Sequence, residues 1–211
     1  MRNFTVTAIA LLMVSIAGCT CNNNDKAEED KAIELDSTQT AQSIIQEDSV
    51  MVFDNINDPW ITENFITRGF SWSGFKLVSF WAEDSSAKKP ANFTPDFFTR
   101  YASVLKWSPD STCILDMGSY GGVVLQDTTG KPIVAKGEPD TEVSLLYPKE
   151  NKKARVLFAG PSLRVINATW ADTSQVALLT TLDTSSVSAK PDTILWMIDV
   201  KENFYRKYKW H

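Results

Sequence analysis

The sequence predicts an all-β body with minor helix, built of consecutive antiparallel meanders. Three observations predict it. Runs such as Phe75 to Trp81, Arg155 to Phe158 and Ile194 to Ile198 are rich in aromatic and branched residues, which suit a pleated, half-buried surface. Clusters of Asp, Ser, Pro and Asn separate these runs and supply turns. One order of events also occurs twice: a Trp-led polar turn, a strand, a gap, a strand, a Lys-Glu-Asn turn and a strand. Self-similarity of this kind is the mark of a repeated structural unit.

Taken in order, Val50 to Phe53 reads as a first short strand, closed by the turn-prone Asp54 to Pro59. Trp60 to Phe70 fits a short helix or strand. Phe75 to Trp81 is a strand entered through Gly74, followed by a polar loop from Glu83 to Asn92. Thr94 and Pro95 then form a helix start, with Pro95 at the first position, where its missing donor costs nothing. Phe97, Tyr101 and Leu105 fall on one face at helical spacing.

The repeat follows. Trp107-Ser108-Pro109-Asp110-Ser111 leads into Cys113-Ile114-Leu115, and Trp170-Ala171-Asp172-Thr173-Ser174 leads into Val176 to Leu179. Lys149-Glu150-Asn151 and Lys201-Glu202-Asn203 close the later hairpins. Between Gly118 and Asp140 the first copy carries an insertion with four glycines that the second lacks. Trp81, Trp107, Trp170 and Trp196 are expected in the core. The C-terminal Phe204 to His211 alternates as a strand, placing Lys207 and Lys209 on one side, and reads as a Lys-protected edge.

The Trp-Ser-Pro-Asp-Ser segment and its sequel, residues 104–180, resemble the propeller repeat of the Tol-system periplasmic protein and of prolyl-oligopeptidase-type proteins. That resemblance implies four-stranded antiparallel blades with the Trp packed between sheets. The second copy lacks the Pro, and two meanders are too few for a closed propeller. The expected architecture is therefore an incomplete propeller-like stack, with a β-sandwich as the alternative.

Charge divides the chain. Between Cys19 and Val50 there are eight acids against two bases, whereas residues 51–211 hold 18 acids and 18 bases. A polar, acid-rich composition does not bury enough surface to offset chain entropy, so residues 19–49 read as a flexible tether with room for a short helix near Ala41 to Glu47. Residues 50–211 read as one globular domain. Its charge balance gives no field for nucleic acid.

Arg2, the apolar Val6 to Ile16 and the small Ala17-Gly18 before Cys19 have the three parts of a secretory signal. Ile16-Ala17-Gly18-Cys19 resembles the lipobox of bacterial lipoproteins. That resemblance implies removal of residues 1–18, lipid (a diacylglyceryl and an acyl chain, such as palmitate) on Cys19, and a location in the cell envelope, anchored in the membrane. Several acyl chains hold firmly where one holds marginally, since each buried methylene contributes about 0.8 kcal/mol.

Catalytic signals are weak. The one His is the terminal His211, which removes the commonest general base and metal ligand from the domain interior, and no catalytic residue, metal ligand or cofactor is assigned. Cys113 reads as a small buried hydrophobe. Asp110, Asp116, Asp127, Glu138, Asp140 and Glu142 offer paired carboxylates for a hydrolase of surface carbohydrate, kept as the alternative to a module binding an envelope protein or glycan. A purely structural lipoprotein is the third reading. Of seven Trp, Trp60, Trp72 and Trp210 are the freest to stack on a ligand.

Overall fold

A computed structural model describes residues 40–52, 58–83, 88–183 and 191–211. The signal segment, Cys19, most of the expected tether, Phe53 and much of the following turn lie outside the described residues. The main compact unit runs from Ala41 to His211.

Two five-stranded antiparallel sheets and a two-stranded hairpin form the fold, and neither sheet closes into a barrel or propeller. The first sheet contains β3 (Leu105–Trp107), β4 (Ile114–Asp116), β7 (Thr141–Tyr147) and β8 (Lys152–Ala159), with the short β2 (Lys89–Pro90) beside β8. The second contains β9 (Leu163–Trp170), β10 (Gln175–Leu182), β11 (Asp192–Asp199) and β12 (Phe204–Trp210), with β1 (Phe75–Ala82) beside β12. Each is thus a four-stranded meander with one earlier strand added to its last edge. The expected insertion is the hairpin of β5 (Gly122–Gln126) and β6 (Pro132–Lys136).

The two copies correspond in detail. Asp110 Oδ1 accepts from Thr112 N at 3.1 Å and Asp172 Oδ1 from Ser174 N at 2.6 Å, so a carboxylate pins each Trp-led turn. Asn151 and Asn203 both take left-handed backbone, with φ of 49° and 51°, a conformation Asn tolerates better than most residues. Their carbonyls accept equivalent bonds from Ala91 N and Glu83 N.

Register shows how the sheets stack. One cross-strand row runs Trp107, Ile114, Leu146, Lys153, Lys89, and its counterpart runs Trp170, Val176, Ile198, Tyr205, Trp81. In the second row Val176, Ile198 and Tyr205 belong to the core between the sheets, together with Leu115, Val143 and Leu145 of the first sheet. In the first row Ile114 and Leu146 point the opposite way, into a cluster with Phe93, Phe97, Phe98 and Tyr101. Equivalent faces therefore point in the same direction, and the sheets stack back to front, as blades do.

This stacking corrects one expectation about the Trp residues. Trp196 is buried, and Trp81 and Trp170 pack against the core. Trp107 is instead 51% exposed, because it lies on the edge strand β3 and on the face turned away from the core between the sheets, where its ring is 6.1 Å from that of Phe98. Trp170, on the equivalent face of the other sheet, turns inward and donates its indole N–H to Lys106 O at 3.0 Å.

The far face of the second sheet is capped from the N-terminal side. Residues 40–52 form a helix, α1, in which Ile44, Asp48 and Val52 are buried. Residues 50–52 are thus the end of a helix, not the expected strand, and the compact unit takes in residues assigned to the tether. The short helix expected near Ala41 to Glu47 is present and runs on to Val52; the spacing Ile44, Asp48, Val52 continues it, but a buried Asp masks that continuation. Asp58 then caps α2 (Pro59–Ile61) by accepting from Trp60 N at 2.7 Å, and a π-helical turn, Thr62–Ile66, follows. Together they cover Ala177, Leu179, Leu195, Met197 and Tyr208.

The other cap is the segment from Phe93 to Val104. Its helix, α3, spans only Phe97–Arg100, with Asp96 rather than Thr94 at the N-cap. Phe97, Tyr101 and Leu105 still meet in one cluster as expected. β12 corrects the edge-strand expectation, since β1 returns from far earlier in the chain to pair with its free side. Local alternation carries no signal of such a distant partner.

Candidate functional site

Within its six candidate acids, the chain gives three to its own turns. Asp110 accepts from Ser108 Oγ at 2.7 Å, Asp127 accepts from Thr129 N at 2.8 Å at the hairpin tip, and buried Asp116 accepts from Ser119 N at 2.8 Å where the insertion begins. Hydrogen bonds led by that of Ser108 hold Asp110 below its usual pKa, and those led by Thr129 do the same for Asp127. Glu138 packs against Gly121, whose φ of 61° favours glycine and where the Glu138 side chain leaves no space for another.

Asp140 and Glu142 line one cavity of about 280 Å³. The hairpin forms one wall through Val134 and Lys136, the outer face of the first sheet supplies Glu142, and Arg164 of β9 closes another side. Thr141 knits these elements together: its hydroxyl donates to Leu163 O at 2.9 Å and lies 3.1 Å from Lys136 Nζ. Val104, Met117 and Tyr120 complete an apolar part of the lining.

The charges in this cavity are unevenly matched. Glu142 Oε1 lies 2.6 Å from Lys153 Nζ and accepts from Ser144 Oγ at 2.8 Å, while Oε2 lies 2.8 Å from Arg155 Nη2. Burial pushes the Glu142 pKa up, but the bonds from Lys153, Ser144 and Arg155 outweigh it and hold the carboxyl below its usual range. A carboxylate so held is a poor proton donor, which weakens the paired-carboxylate reading. Among the described residues, Lys136 and Arg164 have no carboxylate partner. The cavity therefore presents these two cations beside a single carboxylate, Asp140, that likewise has no ion-pair partner among the described residues.

Sequence reasoning missed Tyr120, Lys136 and Arg164. The signal was the insertion itself, since additions to one copy of a repeat often build its binding face. Their convergence, however, depends on the Thr141 to Leu163 contact across two sheets. The Trp residues singled out as ligand contacts lie elsewhere. Trp60 is only 7% exposed because the Asp58 cap turns its ring into Phe65, at 4.9 Å, and this corrects its assignment as a freer residue. Trp72 and Trp210 are half-buried, packed on Tyr208 at 5.0 Å and Phe75 at 5.1 Å. Cys113 is buried, and burial pushes its thiol pKa up.

Among the described residues no set of three His, Cys, Asp or Glu comes together to hold a metal, and no helix is long and apolar enough to cross a membrane. The chain matches no protein-family model, no curated protein and no solved structure.

Proposed function

We propose that this chain is a bacterial envelope lipoprotein, anchored in the membrane by lipid on Cys19, whose β domain binds an acidic glycan in the cavity beside the hairpin. The observation that carries the location is Ile16-Ala17-Gly18-Cys19 at the end of an apolar run that follows Arg2. What supports the ligand class is the pairing of two unmatched cations, Lys136 and Arg164, with the half-exposed ring of Tyr120. A guanidinium fork suits a carboxylate, and an aromatic face suits the apolar side of a sugar ring.

Labelling cells with an alkyne fatty acid tests the anchor. Label on the wild type and none on Cys19→Ala is expected, and equal labelling ends the claim. For the glycan, retention of the full chain on immobilised uronic-acid oligosaccharides is expected to fall at least about tenfold in Arg164→Ala, since a charged hydrogen bond is worth about 1.5 to 3 kcal/mol. Retention by neither protein, or equally by both, rules the cavity out.

A further inference from the structure

Among the described residues, half of the exposed large hydrophobic side chains sit on or beside the insertion: Tyr120, Val123, Leu125, Ile133 and Phe158. Val123 and Leu125 are 49% and 47% exposed. They share one face of the hairpin with Ile133 and Ala135, their partners in register. The hairpin pairs with no further strand among the described residues.

Its two edges differ in chemistry. β6 begins with Pro132, is flanked by Lys131, ends at Lys136 and packs toward α3 and the turn Ala102–Val104. Proline and lysine are the usual guards of a free edge. β5 reads Gly-Val-Val-Leu-Gln and carries neither charge nor proline.

The hydrogen-bond phase fixes what that edge offers. Asp127 N donates to Lys131 O at 2.9 Å and Gly137 N to Gly121 O at 3.1 Å. Bonded pairs in an antiparallel ladder alternate, so Val123 and Leu125 bond inward to β6. The backbone groups of Val124 and Gln126 and the carbonyl of Gly122 face outward; Gly122 N already donates to Ser119 O.

We propose that the free edge of β5 is a self-association surface, on which a second copy of this chain seats its own β5 antiparallel across a twofold axis at Val124. In that register Val124 exchanges two bonds with its counterpart, and Gln126 N donates to Gly122 O in both directions. Each Val123 then lies opposite a Leu125, so the exposed apolar side chains meet across the axis. The β6 edge is unsuited to the same pairing, because it would bring like-charged lysines together. A contact of five-residue strands buries less than the roughly 1,200 Å² of a standard interface. Association is therefore weak in dilute solution, and confinement to a membrane raises its effective concentration.

The test uses the purified full chain. Sedimentation velocity is expected to rise from monomer toward dimer at concentrations on the order of 0.1 mM. Val124→Pro removes only an outward N–H, so it leaves the ladder to β6 intact and weakens self-association at least tenfold. If far-UV circular dichroism shows that variant unfolded, Val124→Lys is read in its place, with the same loss expected. Under mild oxidation Val124→Cys is expected to yield several-fold more covalent dimer than either Ile133→Cys or the wild type, whose own cysteines set the background. Bonded pairs lie about 5.5 Å apart between Cα atoms, within disulfide reach. Sedimentation independent of concentration, equal cross-linking from β5 and β6, or capture of an extended valine-rich peptide without self-association each overturns the proposal.

Discussion

Replacing Asp48 by Ala removes the polar clasp between α1 and the second sheet. Asp48 is fully buried, and its Oδ2 accepts from Tyr208 OH at 2.6 Å and lies 3.4 Å from Arg206 Nε. Arg206 is itself buried and donates through Nη2 to Gln175 Oε1 at 2.5 Å. Asp48→Ala therefore strands a buried guanidinium as well as losing a hydrogen bond, and removal of one partner of a buried pair costs about 3 to 5 kcal/mol. With a urea slope of about 2 kcal/mol/M, the unfolding midpoint falls by about 2 M. The measurement is urea unfolding of the full chain followed by tryptophan fluorescence. Removing both charges in Asp48→Ala/Arg206→Met is expected to recover most of the loss, since an apolar replacement of the pair leaves no orphan. A single variant within about 1 kcal/mol of wild type, or a double variant no more stable than the single, shows that the pair is not the clasp.

Acidification separates two carboxyls of opposite sign. Burial raises the Asp48 pKa above 3.8, against lowering by Arg206 and Tyr208. Its contribution is present in full below the unfolded value and lost as pH rises through the folded one. Wild type minus Asp48→Asn stability is therefore expected to grow from pH 6 to pH 4. Glu142, held below 4.5, behaves in reverse: wild type minus Glu142→Gln stability shrinks as pH falls through its folded value. Urea midpoints from pH 6 down to about pH 3 check both signs. At Asn151 and Asn203, with φ near 50°, substitution by Ala costs about 1 kcal/mol each and by Gly little, read as melting shifts. Ser108→Ala costs about 1 to 3 kcal/mol, because its buried hydroxyl accepts from Thr112 N and Cys113 N, both at 3.1 Å, and anchors the first Trp-led turn.

The meanders were legible because each of their strands pairs with the next and is bounded by turns that write themselves locally. Trp107 and Trp170 marked equivalent positions, and Lys149-Glu150-Asn151 and Lys201-Glu202-Asn203 marked equivalent turns. Which face of each sheet is buried was not legible. It follows from stacking direction, and the same residue type is exposed at 107 and inward at 170. A helix near Ala41 to Glu47 was legible, but its extension to Val52 and its place in the domain were obscured because Asp48, polar in sequence, is made a core residue by Arg206 and Tyr208 some 160 positions later. The cavity was half legible: the insertion and two of its acids were visible, while Arg164 reached it through the stacking of β9 on the first sheet.

The pairing of β1 with β12 carries a consequence for synthesis. Residues 75–82 find their strand partner at 204–210, so contacts spanning well over a hundred positions are the ones that complete the second sheet. A chain emerging N-terminus first can form β3 to β8 and then β9 to β11 as local hairpins, and such contacts form quickly. Until residues 204–210 emerge, β1 has no partner strand, and Tyr208, which receives α1, is missing. A product lacking residues 204–210 would thus lose the seat of α1, and would display an unpaired strand and a bare apolar sheet face to the quality-control machinery.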